Sequence, residues 1–292
     1  MIAQAKTFVR LVTPPFIYSP AKAAFLKARD LWFPPKPEAA SPLKIVFDRL
    51  NQGAGEDEIV MREGLKLKLH PDSRIPFEYF CHIEEEVVRE MDRFIEQTRG
   101  KTRLLDVGAL HGVFSLVFAS LGAERKAVAV DASPVAFSRL LYNIYKNDLE
   151  AITPVECALS SESGFLPMHY EWEHAVAARS DNSARKRLTV RKMRGDDLCR
   201  ELAFHPDVIK IDVEGHEVKV IKGLAQEIQE NRPLIFLELH PGRIVDENDS
   251  MDELLKILRS ARYKAHFVDG TPVELEALAP HAHPVARLTL TP

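Results

Sequence analysis

The chain has 292 residues, 46% of them hydrophobic and 28% charged, which is enough apolar material for a sizeable globular core. A formal net charge of -4, from 43 acidic and 39 basic residues, gives no overall attraction to nucleic acid or to an anionic membrane. Three widely spaced cysteines, Cys81, Cys157 and Cys199, indicate neither a disulfide framework nor a zinc site. We therefore expect a cytoplasmic protein without a nucleic-acid partner.

No apolar run reaches the roughly 20 residues of a membrane-spanning helix, and the N-terminus has no signal-peptide core. Residues 1–57 are predicted to be a Pro-rich accessory segment with one short helix from Ala21 to Leu31. Its mixture of basic and aromatic residues fits a membrane-surface or partner contact, and equally fits aromatic side chains that pack back on the body of the protein.

A second unit, residues 58–292, carries the regular patterns. From Ile59 to Leu69 apolar and charged residues alternate, which predicts a hairpin around Glu63 and Gly64 at the edge of the core. His82 to Thr98 has the spacing of an amphipathic helix. The hairpin and helix thus occupy 58–99, and the core occupies 100–292.

Strand and helix patterns then alternate along the core. The predicted strands are Arg103 to Val107, Ala127 to Asp131, Ile152 to Ala158, Val208 to Val213, Leu234 to Leu239, Tyr263 to Val268 and Arg287 to Leu290. The predicted helices are Val113 to Leu121, Pro134 to Asn147, Glu217 to Asn231 and Ser250 to Ser260. This alternation predicts an α/β fold with a doubly wound, mostly parallel, Rossmann-like sheet, whose ligands lie beyond the carboxyl ends of the strands.

Two glycines and two acids indicate the kind of ligand. Gly108 and Gly112 follow the first strand, and Asp131 ends the second strand, where nucleotide sites place an acid against the ribose. The pattern lacks the G-x-G-x-x-G that brings backbone against a pyrophosphate, and Asp106 would repel phosphate. An adenosine cofactor with an ammonium group, such as S-adenosylmethionine, fits this charge pattern.

Five segments resemble the FkbM-type methyltransferase family, and the match extends from about residue 58 to the C-terminus. They are D-V-G-A-x-x-G from 106, A-V-D-A-S-P from 129, E-C-A-L-S-S-E-S-G from 156, V-I-K-I-D-V-E-G-H-E from 208 and L-E-L-H-P from 237. The family pattern T-L-D-D-L appears here as R-G-D-D-L at 194–198, which predicts an altered substrate contact.

The resemblance implies a class I methyltransferase with a seven-stranded sheet whose last strand is antiparallel. It also implies S-adenosylmethionine-dependent O-methylation of a hydroxyl on a small molecule, with a sugar or glycoconjugate precursor as the expected acceptor. The expected cofactor-binding residues are Asp106, Gly108 and Gly112 for the methionine part, Asp131 for the ribose, and Cys157 and Ala158 for the adenine, together with Ala109, His111 and Ala132.

Methyl transfer to a hydroxyl needs alignment and one proton acceptor. The candidate catalytic residues at the fourth and fifth strand ends are Asp212, Glu214, His216, Glu238 and His240. His240 has the most suitable ordinary pKa of roughly 6.5, but the sequence does not single out one base. The same side chains could bind a divalent metal, although their irregular spacing predicts none.

Other interpretations stay open at this point. Asp212 and Glu214 could cap the helix that begins near Glu217, and the glycines could serve packing alone. Asn143 and Asn147 are predicted to be exposed or capping residues. The alternative functions are a nicotinamide-dependent oxidoreductase on a related fold and a methyltransferase-like binding module without turnover.

An insertion between the third and fourth strands is the other candidate for substrate contact. Arginines and lysines predominate from 185 to 194, which indicates either an anion contact or a solvated strand with Leu188, Val190 and Met193 facing inward. Upstream, His169, Tyr170, Trp172, Glu173 and His174 form an aromatic and polar group that predicts either a ring-stacking surface or a structural hairpin.

Overall fold

A computed structural model describes residues 57–171, 174–177, 187–247, 249–278 and 285–292. The accessory segment, with its helix from 21 to 31 and its mixed basic and aromatic residues, lies outside the described residues up to position 56. Trp172, Glu173, Arg185 and Lys186 lie outside them as well. No helix in the described ranges is both long and apolar enough to cross a bilayer.

The described helices alternate with strands as the sequence predicts. They are α1 (Arg74–Glu78), α2 (Glu85–Gln97), α3 (Val113–Ser120), α4 (Pro134–Lys146), α5 (Gly195–Leu202), α6 (Glu217–Gly223), α7 (Ala225–Glu230), α8 (Pro241–Asp246) and α9 (Met251–Ser260). A π-helical turn, Tyr79–Ile83, connects α1 to α2. Short 3-10 turns occur at Arg62–Gly64, Pro71–Ser73 and Leu275–Ala277.

The strands form three sheets. They are β1 (Asp57–Val60), β2 (Lys66–Leu69), β3 (Arg103–Val107), β4 (Lys126–Asp131), β5 (Ile152–Glu156), β6 (Ala158–Ser160), β7 (Gly164–Glu171), β8 (His174–Ala177), β9 (Arg187–Arg194), β10 (Val208–Ile211), β11 (Leu234–Leu239), β12 (Lys264–Phe267), β13 (Pro272–Val273) and β14 (Ala286–Thr291).

The central sheet has eight strands in the order β13-β12-β14-β11-β10-β3-β4-β5. Strands β11, β10, β3, β4 and β5 are mutually parallel, and β14 runs antiparallel between β11 and β12. Buried apolar side chains cover both faces of this sheet, with α3 and α4 on one face and α6, α7 and α9 on the other. The expectation of a doubly wound, mostly parallel sheet with an antiparallel last strand is confirmed.

The secondary structure differs from the sequence prediction in three main features. The sheet has eight strands rather than seven, because Pro272–Val273 adds a short strand along the edge of β12. The strand predicted from 152 to 158 breaks at Cys157, where the chain leaves the central sheet and β6 pairs with β9 instead. The helix predicted from 217 to 231 breaks at Leu224, which has non-helical backbone angles.

Asparagines on α4 join the N-terminal hairpin to the core. The β1–β2 hairpin forms its own two-stranded sheet and turns at Glu63 and Gly64 as predicted. Asn143 is fully buried rather than exposed; its amide accepts a hydrogen bond from the His70 N–H at 2.8 Å and donates to Ser73 and to the His111 carbonyl. This amide therefore holds the hairpin region against the turn from Gly108 to Gly112.

Replacing Asn143 with Ala is expected to lower the free energy of unfolding by about 3 kcal/mol, because buried donors and acceptors lose their partners. The matched control is Asn147→Ala, since Asn147 caps the end of the same helix. Its side chain hydrogen-bonds only to the exposed backbone of Lys68 and to the Asn143 carbonyl. Urea denaturation of both variants measures the difference. Equal destabilisation of the two variants would contradict this role of Asn143.

Candidate active site

A cleft of about 1060 Å³ opens at the carboxyl edge of the central sheet. Its floor is formed where β3, β4, β5, β10 and β11 end. One wall comes from α1 and the π turn, through Ile75 and Tyr79. Another wall comes from the four-stranded sheet, in the order β6-β9-β7-β8, through Leu166 and Met168 on β7. Parallel register explains why residues far apart in sequence meet here, since Lys210 on β10 pairs with Asp106 on β3.

Most of the predicted cofactor residues line this cleft. They are Asp106, Gly108, Ala109, Asp131, Ala132, Cys157 and Ala158. His111 and Gly112 do not line it, because His111 is fully buried beneath Asn143 and Gly112 packs against Leu116 and Leu140. Their pattern in the sequence therefore reflects packing of the turn onto α3 and α4.

Asp106 lies buried next to the turn from Gly108 to Gly112. Its Oδ2 accepts hydrogen bonds from the Ser115 backbone N–H at 3.1 Å and from the Ser115 hydroxyl at 2.6 Å. Burial raises the pKa of Asp106 to about 6, against the opposing effect of the Ser115 hydrogen bond. The carboxylate thus fixes the start of α3 while still facing the cleft.

Asp131 is held at the end of β4 by the backbone. Its two carboxylate oxygens accept from the N–H groups of Leu110 at 2.7 Å and Ser133 at 2.8 Å. Burial raises the pKa of Asp131 to about 7. Each oxygen keeps a lone pair for a further donor, which is what contact with ribose hydroxyls requires.

We expect nucleoside binding to strengthen as Asp131 ionises. Below its pKa of about 7 the protonated carboxyl has lost acceptor capacity, so affinity rises from pH 6 to pH 8. 5′-Methylthioadenosine is the suitable probe because it carries the ribose without a titrating amino group. Calorimetry at several pH values measures the trend, and Asp131→Asn should flatten it. A pH-independent affinity in the wild type would contradict the contact.

The part of the cleft where β5 ends contains a thiol that stays neutral. Burial raises the pKa of Cys157 to about 12, so it is not a nucleophile at neutral pH. Leu159, Leu166 and Met168 lie beside it in the cleft wall. The surroundings therefore suit a flat, uncharged ring.

All five predicted catalytic side chains also line the cleft: Asp212, Glu214, His216, Glu238 and His240. They differ in their freedom to react. Asp212 makes no side-chain hydrogen bond to another described residue, so it does not cap α6. Both ring nitrogens of His216 already have hydrogen-bond partners, with Nδ1 at 3.0 Å from Glu247 and Nε2 at 3.2 Å from the Ser160 hydroxyl.

His240 presents one ring nitrogen to the cleft. Its Nδ1 lies 2.8 Å from Oε1 of Glu217, while Nε2 lies 3.4 Å from Glu214 and 3.8 Å from Glu238. Burial opposes the charged imidazolium, but the hydrogen bond and charge of Glu217 prevail and raise the pKa of His240 to about 9. The neutral ring of His240 is therefore a stronger base than an ordinary imidazole.

Glu238 belongs to a buried ion network that the sequence analysis did not identify. Lys210 on β10 lies 3.0 Å from Glu90 on α2 and 3.8 Å from Glu238, and Arg287 on β14 lies 2.7 Å from Glu238 and 3.3 Å from Glu90. Burial and the like charge of Asp212 raise the pKa of Glu238 to about 8. The network connects the part of the cleft around Glu238 to α2 and β14.

Two of these residues carried a signal in the sequence. Lys210 interrupts the apolar strand Val208–Ile211, and Glu90 lies at helical spacing among the apolar residues of α2. A charge at a core position needs a partner of opposite sign, so the lysine on the apolar strand predicts a buried acid, and the glutamate on the apolar helix face predicts a buried base. Arg287, Tyr79 and Arg243 line the cleft without such a signal.

Ligand atoms of Asp212, Glu238 and His240 lie within 4.8 Å of one another, close enough to hold a metal ion. Arg287 already pairs with Glu238, and Glu217 already pairs with His240. Two of the three possible ligands therefore already have a partner of opposite charge within the protein.

The basic run of the insertion lies on β9. Lys192 pairs with Glu162 at 2.6 Å and Arg194 pairs with Asp196 at 2.9 Å, so these cations already have partners. Val190 and Met193 are buried, as the interpretation as a solvated strand predicts. Within R-G-D-D-L, Asp196 accepts from backbone N–H groups at the start of α7 and does not line the cleft.

The strand order and the acid-lined cleft at the carboxyl edge define a class I methyltransferase fold. A family model described as "Methyltransferase FkbM domain" matches residues 106–265, more than half of the chain. The chain therefore belongs to the FkbM methyltransferase family, and the expectation of that family is confirmed. This membership also decides against the oxidoreductase alternative.

Two curated relatives and one solved structure illustrate the family. The chain is 30% identical over 159 residues to methyltransferase sdnD of Sordaria araneosa, covering 42% of this chain and 61% of the relative. It is 28% identical over 185 residues to hexuronic acid methyltransferase AglP of Haloferax volcanii, covering 61% of this chain and 69% of that protein. The crystal structure of methyltransferase FkbM from Methylobacillus flagellatus KT has a TM-score of 0.42 at 16% identity, covering 65% of this chain and 43% of that chain.

Proposed function

We propose that the protein is an S-adenosylmethionine-dependent O-methyltransferase that acts on a hydroxyl of a small molecule. The observation that carries the proposal is one cleft with a nucleoside-suited side at Asp106 and Asp131 and a basic group at its other side, Nε2 of His240. When bound, S-adenosylmethionine supplies an activated methyl group.

The residues present fit this cofactor in shape and charge. The described lining holds six carboxyl side chains, Asp106, Asp131, Asp212, Glu214, Glu238 and Asp246, against three Lys or Arg side chains, Lys210, Arg243 and Arg287. The carboxylate of Asp106 beside the Gly108 turn suits a cofactor that carries an ammonium group and opposes a dinucleotide pyrophosphate. Asp131 would hold the ribose, and Asp106 with the Gly108 turn would hold the methionine part.

The protein's own chemical task is to position the acceptor and remove its proton. A hydroxyl lying between Asp212 and His240 can donate its proton to Nε2 of His240, and Glu238 and Arg287 can hold neighbouring hydroxyls of the same acceptor. The aromatic ring of Tyr79 forms the facing wall. Several hydroxyl-binding groups around one base suit a sugar ring.

A sugar acceptor gains support from one relative, the Haloferax volcanii protein named as a hexuronic acid methyltransferase. The proposed acceptor is accordingly a sugar or glycoconjugate precursor. No nucleic-acid partner is included in the proposal, because the net charge of -4 provides no general attraction to phosphate backbones.

Methyl transfer from labelled S-adenosylmethionine tests the proposal. The assay uses the full chain with a panel of methyl glycosides that includes a hexuronic acid glycoside, and with a cell extract. We expect a labelled sugar product and release of S-adenosylhomocysteine. Cofactor binding without transfer to any acceptor would support the binding module instead, and absence of binding would overturn the proposal.

A further inference from the structure

Glu217 is the buried acid behind the ring of His240. It lies in the first turn of α6, its side chain is fully buried, and it does not line the cleft. Its Oε1 accepts the Gly215 N–H at 2.9 Å and lies 2.8 Å from Nδ1 of His240. Glu217 is therefore within reach of the ring but out of reach of an acceptor in the cleft.

We propose that Glu217 is the positioning residue of the transfer: it holds the His240 ring so that Nε2 becomes the proton acceptor in the cleft. The inference rests on the proposed function. An ionised carboxylate only accepts hydrogen bonds, so the nitrogen that faces Glu217 must carry the hydrogen. In the neutral ring this leaves the lone pair on Nε2, and Nε2 faces the cleft.

The chain makes a special turn to place this acid. Glu214 and Gly215 both have positive φ, 53° and 109°, which reverses the backbone between β10 and α6. A Cβ on residue 215 would lie 2.6 Å from Cβ of Arg243, so only glycine fits there. Backbone conformations of this kind persist where surrounding structure imposes them, and here the turn directs the Gly215 N–H to the same Glu217 oxygen that faces the His240 ring.

The second carboxylate oxygen of Glu217 bears on how strongly the charge of Glu217 is coupled to His240. Oε2 is buried without a hydrogen-bond partner among the described residues. A buried carboxylate that lacks partners on one oxygen depends on its remaining contacts for stabilisation. The charge of Glu217 is therefore coupled chiefly to His240.

Other charged groups also face His240, and their positions show what Glu217 contributes that they do not. Glu214 follows β10 and contacts Nε2, Asp212 precedes it on the same connection, and Glu238 comes from β11. Arg243 on α8 lies 3.3 Å from Glu214 and offsets part of its charge. Among the residues that the structure describes, only Glu217 contacts Nδ1, and its distance of 2.8 Å is shorter than that of either carboxylate at Nε2, so Glu217 selects which ring nitrogen is free.

Imidazole ¹⁵N NMR of the full, histidine-labelled chain tests this assignment without cofactor or acceptor. His240→Gln identifies the His240 signals by their loss. We expect wild-type His240 to carry its hydrogen on Nδ1 once deprotonated. In Glu217→Gln the tautomer preference should weaken and the titration midpoint of His240 should fall by about one pH unit, a tenfold loss of proton affinity.

Glu227→Gln is the matched control, because Glu227 faces Nδ1 of His205 at 3.1 Å and neither residue lines the cleft. It should leave the His240 signals unchanged. Glu217→Asp keeps the charge but withdraws the carboxylate by one methylene, so an intermediate shift is expected, and this variant also serves if Glu217→Gln does not fold. Unchanged His240 signals in the folded Glu217 variants would overturn the proposal.

Kinetics distinguish failure of this inference from failure of the proposed function. If the wild type transfers methyl groups, Glu217→Gln should lower kcat by about tenfold to a hundredfold and move the pH profile to lower pH, with the KM for S-adenosylmethionine unchanged. A KM effect alone would contradict the positioning role. If no methyl is transferred but the NMR shift appears, the coupling stands and the proposed function fails.

Discussion

Gly108→Ala is expected to abolish binding of S-adenosylhomocysteine and to destabilise the protein by about 3 kcal/mol or more, since it combines a left-handed backbone with overpacking. Gly108 has φ of +79°, and a Cβ there would lie 1.8 Å from the carbonyl oxygen of Asp212. The turn cannot shift away, because the N–H groups of Gly108 and Ala109 both bond to the Val130 carbonyl at 2.9 Å. The added methyl must therefore displace the end of β10.

A control glycine separates the cost of a left-handed backbone from the cost of overpacking. Gly64 in the hairpin also has positive φ, +71°, but a Cβ there meets nothing within 4 Å. Gly64→Ala should cost only the conformational strain, about 1 kcal/mol, and should leave binding unchanged. Calorimetric titration and urea denaturation of both variants measure this. A Gly108→Ala protein that still binds S-adenosylhomocysteine with wild-type affinity would contradict the proposed cofactor turn.

His240→Gln is expected to lower the rate of methyl transfer about 100- to 10,000-fold, the usual contribution of a general base. Affinity for S-adenosylhomocysteine should be unchanged, because the cofactor residues lie at other strand ends. His205→Gln is the matched control, since His205 also pairs with a glutamate but does not line the cleft. The measurement is the initial rate with labelled cofactor, normalised to folded protein.

The wild-type rate should also increase with pH. With the pKa of His240 raised to about 9, the free base at Nε2 is the minor form at neutral pH. Deprotonation on passing towards pH 9 creates the reactive form, so the rate rises until that range and then levels off. In His240→Gln this alkaline rise should disappear. A variant that keeps the wild-type rate and pH profile would move the role of base to Asp212 or Glu238.

The fold and the two sides of the cleft could be predicted because they depend on local patterns. Apolar runs ending in Asp106, Asp131 and Glu238 predict strands of a parallel sheet, and parallel strands place their ends at one edge. Which of the clustered acids and histidines is free to react could not be predicted. That depends on partners such as Glu217 and Glu247, whose distances are set by turns and helix packing rather than by spacing along the chain.

The prediction for His111 and Gly112 shows the same limit. Their glycine-rich pattern fits a ligand cradle and a packing contact equally well, and only the buried amide of Asn143 reveals that this end of the turn is directed into the core. Likewise, the break at Cys157 depends on the pairing of β6 with β9, which joins residues some thirty positions apart. Tertiary contacts of this kind leave no periodic signal.

The buried ion network sets a lower limit on the autonomous folding unit. Glu90 precedes and Arg287 follows the region 106–265 matched by the family model, yet both pair with charges inside that region, Lys210 and Glu238. A fragment cut at the family boundaries would leave Lys210 buried with only the more distant Glu238, and would lose the strand between β11 and β12. Such a fragment should express as an unfolded or aggregated polypeptide, so the folding unit of this chain is larger than the region that the family model matches.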